Sequence, residues 1–165
     1  PEGTPAAIAL DIATDILSTG RSSRLYQRLV YQDQLASEVS AYVDLREAPG
    51  LVWFYAMANE ADQDVAPIEK ALEEVIAQVR NDLVGEHELE KAKNKMEMRL
   101  VASRVTASGK ADQLAHSYTF FGDTQRVNSI IGEYDAITTE DIRRAAAEFL
   151  TPEKRCVVVY LPPKE

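Results

Sequence analysis

Histidine is the side chain from which a metal-assisted or acid–base centre is most readily built. This 165-residue sequence has only two, His87 and His116. A helical zinc pair needs two histidines four apart with a glutamate between them, as in H-x-x-E-H. His87, in "GEHELEK", has Glu90 three residues on but no second histidine. His116, in "LAHSY", has only Asp112 nearby in sequence. Serines are present without a G-x-S-x-G elbow, so a nucleophilic serine has no local signature. The single Cys156 excludes an internal disulfide and a cysteine-based zinc site. Its apolar run "CVVVY" predicts a buried structural thiol. No catalytic and no metal-ligating residue is therefore expected in this chain.

The stretch "TGRSSRLYQRLV" (19–30) raises a different possibility, since it concentrates Arg21, Arg24, Arg28, Ser22, Ser23 and Gly20. A phosphate-cradling loop would need several glycines and a Lys-Ser/Thr pair before a helix. Only Gly20 is present. The stretch reads as a helix stop and restart: Gly20 ends one helix, Ser22 or Ser23 caps the next, and Leu25 and Leu29 pack. The arginines would reach carboxylates or carbonyls. A docking patch for a partner domain is the second reading. The aromatics of "SYTFFG", Tyr118, Phe120 and Phe121, read as core at a helix end rather than as a ligand pocket. The charged runs "EKALEE" and "EHELEKAKNKMEMR" read as water-facing helix surfaces supported by i,i+4 pairs.

The elements that would position these residues follow from periodicity. Ile8, Ile12 and Ile16 lie four apart and predict a helix over 5–18. A second helix covers "RLYQRLVYQ". Residues 35–46 alternate, with Val39, Ala41, Val43 and Leu45 opposite Ser40, Tyr42, Asp44 and Arg46, which predicts a half-exposed strand. "EAPG" turns the chain. "LVWFYAMA" has bulky residues on both faces, as expected of an interior strand, and should pair with the first as an antiparallel hairpin. Val65, Ile68, Leu72, Val75, Ile76, Val79 and Leu83 stripe one face of a helix over 64–83. A long helix follows "VGEHE", with Leu89, Ala92, Met96 and Leu100 in register and a break near Gly109, reaching about 121. A helix over roughly 124–134 and one opening with the capping-box-like pair Thr138 and Asp141 complete the helical part. "RCVVVYL" (155–161) should be a strand in the same sheet, and "PPKE" a tail leaving the domain. Together these predict a single α+β domain over 1–165, a two-layer sandwich of a mainly antiparallel sheet covered on one face by helices.

A formal net charge of −9 disfavours nucleic acid as a partner, because phosphate contacts require clustered Lys and Arg. It equally disfavours an anionic membrane surface. No run approaches the roughly 18 apolar residues of a spanning helix. The opening Pro1-Glu2-Gly3, without Met, suggests a piece of a longer chain.

Five stretches taken in order resemble the pitrilysin/insulinase-type zinc metallopeptidases, the superfamily that includes mitochondrial processing peptidase subunits. They are "DILSTGRSSRLYQRLV", "LASEVSAYV", "GLVWFYAMA", "ELEKAKNKM" and "YDAITTEDIRRAAAEFL". The resemblance runs from about Ala7 to Pro162. It implies repeated α+β domains closing like a clamshell around a peptide, with zinc held by H-x-x-E-H in an N-terminal domain. Lacking that motif, this chain resembles the C-terminal, zinc-less domain, whose implied role is to close the chamber and hold the substrate. The implied partners are a peptide substrate, an N-terminal zinc-binding domain and a homologous second subunit. A non-catalytic scaffold subunit of the same superfamily is the alternative. Many such domains carry an Arg and, seven residues on, a Tyr that bind substrate. Those positions fall here on Val30 and Ser37, while Arg24 and Tyr31 have the same spacing one helix earlier. Arg24, Tyr31 and Ser37 are thus the only substrate-binding candidates. Family domains usually begin with a strand before the first helix, so an uncovered sheet edge and self-association of the fragment are expected.

Overall fold

The computed structural model of the chain describes residues 1–60 and 64–161. Helix α1 (Pro5–Ser18) is capped by Thr4, whose hydroxyl accepts from the Ala7 N–H at 3.3 Å, and proline occupies its first turn. It is the centre of the core. Ala9, Ile12, Ala13 and Leu17 are almost fully buried, and α1 packs against the sheet and most of the later helices. Gly20 follows at φ +87°, a conformation that glycine adopts without strain.

Residues Tyr26–Gln32 then form a π-helix, with the Asp33 N–H donating to the Arg28 carbonyl at 3.0 Å. The α-helix expected here is therefore over-wide. Two turns of sequence are too short to separate a 3.6-residue from a wider period, and Leu25 and Leu29 are fully buried in either case.

Strands β1 (Ala36–Asp44) and β2 (Leu51–Ala58) pair antiparallel from Ala36↔Ala58 to Asp44↔Leu51, with a register shift at Ser37. The hairpin closes tightly at Gly50, where a Cβ would lie 1.9 Å from the Asp44 carbonyl oxygen. One face, including Val39, Val43, Val52 and Phe54, packs on the core. The helices α2 (Ala66–Asn81), α3 (Glu86–Ser103), α4 (Ala107–Phe121), α5 (Arg126–Asp135) and α6 (Thr139–Phe149) complete an α+β domain. As expected, Thr138 and Asp141 cap α6 reciprocally.

The segment 155–161 departs from expectation. Among the described residues the sheet has two strands, and 155–161 is neither paired nor buried. A β-branched run becomes a strand only when an edge is in reach. Here Arg155 is tied to Glu69 and Glu73 of α2, at 2.7 and 3.5 Å, and the chain leaves beside that helix. Cys156 is accordingly exposed, not buried. β2 is likewise not an interior strand: Leu51, Trp53, Tyr55 and Met57 face outward. The expected tail 162–165 lies outside the described residues.

Candidate functional site

The junction 19–33 is assembled by the polar face of α3. Glu88, Lys91, Lys95 and Arg99 recur at intervals of three or four residues and so share one side of the helix. Arg24 donates from Nε to Glu88 Oε1 at 2.9 Å and from NH2 to Oε2 at 2.6 Å. The same carboxylate accepts from the Gly85 N–H at 2.9 Å, closing the first turn of α3. This double engagement, the Arg24 pair foremost, holds the Glu88 carboxyl below its ordinary range and lifts the Arg24 guanidinium above its own. Lys91 donates to the Ser22 hydroxyl, Lys95 to the Thr19 carbonyl at 3.0 Å, and Arg99 pairs with the buried Asp15 at 3.1 Å. Glu88, Lys91, Lys95 and Arg99 thus reach across to the junction and α1, while Glu86, Glu90, Lys91, Glu97 and Arg99 of the same run are exposed to water as expected. In the run "EKALEE", Lys70 and Glu74 pair as expected, 3.9 Å apart on α2.

Arg28 pairs with Asp33 and Glu74 at 2.8 and 3.0 Å. Arg24 and Arg28 thereby tie the junction to α3 and α2. A small open cleft nearby is lined by Asp15, Thr19, Ser22, Ser23, Glu88, Lys91 and Lys95, and none of the junction arginines lines it.

Of the three substrate-binding candidates, Arg24 is locked on Glu88, and Tyr31 is 70% exposed on the π-helix. Ser37 is the bulged residue of β1 and donates to the Met57 carbonyl at 3.3 Å. No hydrogen bond among the described residues links the three. Val30 is partly buried against the core. His87 is exposed. His116 lies 2.7 Å from Glu2, a partner distant in sequence, and its ring stands 4.6 Å from that of Phe120. Tyr118 and Phe120 face outward and are not core, while Phe121 lies under the Arg126 guanidinium at 3.9 Å. Among the described residues no group of three His, Cys, Asp or Glu side chains is arranged to hold a metal.

Sequence reasoning missed the outer face of the hairpin. The register sets Tyr42 opposite Trp53, with ring centroids 6.4 Å apart and planes 18° from parallel. Leu51, Tyr55 and Met57 continue the same face along β2, each roughly half exposed. Five large apolar side chains on one open sheet face form a patch of the kind that contacts other polypeptides. The signal was the alternation of Tyr42 with core residues in β1. Pairing it to β2 assigns Trp53 to the same side.

Residues 1–96 match the family described as "Peptidase M16 inactive domain". The chain belongs to that family. It is 25% identical over 146 residues to the Bacillus subtilis (strain 168) protein called "Uncharacterized zinc protease YmxG", covering 87% of this chain and 35% of that one. The chain thus spans about a third of that relative's length. The crystal structure of a candidate zinc protease from Bordetella pertussis Tohama I superposes with a TM-score of 0.78 at 27% identity, over 98% of this chain and 87% of that one. A protease from Helicobacter pylori shares the fold with a TM-score of 0.78 at 20% identity, over 92% of this chain and 36% of that one. Among the described residues, no helix is long and apolar enough to cross a membrane.

Proposed function

We propose that this domain is the substrate-clamping, chamber-closing C-terminal half of a zinc metalloendopeptidase. Peptide hydrolysis would be carried out by a zinc-activated water held in an N-terminal H-x-x-E-H domain. The observation that carries the reading is the match to the inactive peptidase domain together with relatives named as zinc proteases. The chemistry is consistent: this domain supplies shape and apolar surface, and the zinc-bearing domain supplies the polarised water.

Within that reading the face Tyr42, Trp53, Tyr55, Leu51 and Met57 contacts the peptide. Side chains on β2 alternate at about 7 Å, two residues of extended chain, so an extended peptide laid on the face meets an aromatic or thioether group at each second residue. A second outward apolar pair, Leu114 and Tyr118, four residues apart on α4, is available to the zinc-bearing domain or a homologous second subunit. The test is steady-state kinetics of the complete peptidase carrying Trp53→Ala or Tyr55→Ala. KM for apolar peptides should rise several-fold with kcat little changed, the pattern of lost uniform binding. Unchanged KM in both variants would remove the sheet face from substrate contact. A complete protein without peptidase activity would favour the scaffold alternative.

A further inference from the structure

We propose that the outer face of the hairpin selects peptides carrying a lysine or arginine, held over Trp53 and Tyr55 and paired with Glu38. This rests on the reading of the face as the surface that meets the peptide, and adds which peptide it meets. Register fixes the members of the face, because residues directly opposite one another in a sheet point to the same side. Glu38 stands opposite Met57, Ser40 opposite Tyr55, Tyr42 opposite Trp53 and Asp44 opposite Leu51. Tyr55 is therefore diagonal to both Glu38 and Tyr42, and the aromatic centre has a carboxylate at each end. The two carboxylates differ. Asp44 accepts from Arg46 Nε at 2.9 Å, so it is neutralised within the chain. Glu38 is exposed, and its carboxylate has no hydrogen-bond or ion-pair partner among the described residues.

Charge and ring chemistry select the same occupant. Tyr42, Trp53 and Tyr55 are each about half exposed, and an aromatic ring attracts a cation over its face. A carboxylate accepts its strongest hydrogen bonds from a cationic donor. A lysine or arginine meets both demands at once, its stem over Tyr55 and Met57 and its head at Glu38. A neutral peptide would cover Glu38 without pairing it, and an acidic one would set like charges together. A second copy of this chain brings the same carboxylates and the same net −9, so it is the poorer fit.

Trp53 is the chain's single tryptophan, so its fluorescence reports on this face alone. The 165-residue chain is titrated with a tryptophan-free peptide of alternating threonine and valine, as long as β2, carrying lysine, acetyl-lysine or glutamate at its centre. The lysine peptide should bind about tenfold tighter than the acetyl-lysine peptide, with the glutamate peptide weakest, and the difference should fade at high salt. Glu38→Gln should remove most of that preference. Glu97→Gln, which removes an equal charge from the exposed side of α3, should leave it intact. Equal affinity for the three peptides would overturn the proposal while leaving the face a peptide contact. So would a preference lost as fully in Glu97→Gln as in Glu38→Gln, which would assign it to net charge. A Trp53 emission that changes with protein concentration alone would seat a second copy on the face and overturn it as well. No response of Trp53 to any peptide would overturn both the proposal and the reading beneath it.

Discussion

Arg24 is the residue whose spacing could be read as substrate chemistry and whose surroundings are those of a brace. Its two bonds to Glu88 join the junction to the start of α3, and Glu88 in turn closes the cap at Gly85. Arg24→Ala should therefore lower stability by about 1 kcal/mol, a charge-assisted pair discounted for its partial exposure. Chemical denaturation checks this. Arg24→Lys should recover only part, since an ammonium cannot reproduce the two-pronged contact. If Arg24 instead bound substrate, turnover of the complete peptidase would fall with the melting temperature unchanged. The pair also sets a pH dependence. The folded Glu88 titrates below its ordinary value, so its contribution is full above the unfolded pKa and fades as pH falls through the lower folded one. Glu88→Gln should flatten the acid limb of a stability-versus-pH curve. Asp11 behaves oppositely. Burial raises it, with Tyr134 donating to it at 2.8 Å, so its ionisation costs stability as pH rises between the unfolded and the folded pKa. Tyr134→Phe, which removes that donor from a largely buried carboxylate, should cost about 1–3 kcal/mol. Urea titration near neutral pH, compared with mildly acidic pH, checks it: the loss should shrink as Asp11 protonates. At this scale the sequence was only half legible. Residue types announced that the arginines would find carboxylates, but pairs such as Arg24 and Glu88 are set by tertiary structure and have no local signature.

At the scale of elements, periodicity located α1, the hairpin, α2 and α3, because each buries one stripe of a regular repeat. The capping pair Thr138 and Asp141 was legible for the same local reason, and Thr138→Ala should cost about 1 kcal/mol by thermal melting. Gly50 carries a sterner constraint. An added methyl meets the Asp44 carbonyl, so Gly50→Ala should destabilise by about 1–3 kcal/mol and disturb the hairpin amides in exchange measurements. What failed was the reading of environment. "LVWFYAMA" and "RCVVVYL" have the composition of interior strands, yet one has an open face and the other no partner among the described residues. Composition reports what a segment could bury. Only the neighbouring elements decide whether it does. The π-helix at Tyr26–Gln32 lies beyond pattern reading for a related reason, since its widening changes hydrogen-bond partners while leaving the same leucines in the core.

At the scale of the whole molecule, the fold class and the family were readable from five weak stretches in the right order, and the match over 1–96 and the shared fold agree with them. The apolar sheet face proposed to meet the peptide was not readable, because it exists only once β1 and β2 are in register. Division of labour is the central claim: zinc chemistry belongs to another domain, and this one shapes the chamber. A zinc peptidase requires protein ligands, an open position for water and a general base beside it. The most direct test is metal analysis of the dialysed 165-residue chain, joined to a fluorogenic peptide assay with and without an H-x-x-E-H domain of the same parent. The account predicts no stoichiometric zinc and no cleavage by the chain alone, and chelator-sensitive cleavage when the zinc-bearing domain is supplied. About one zinc per chain, or chelator-sensitive cleavage by this chain alone, would contradict it.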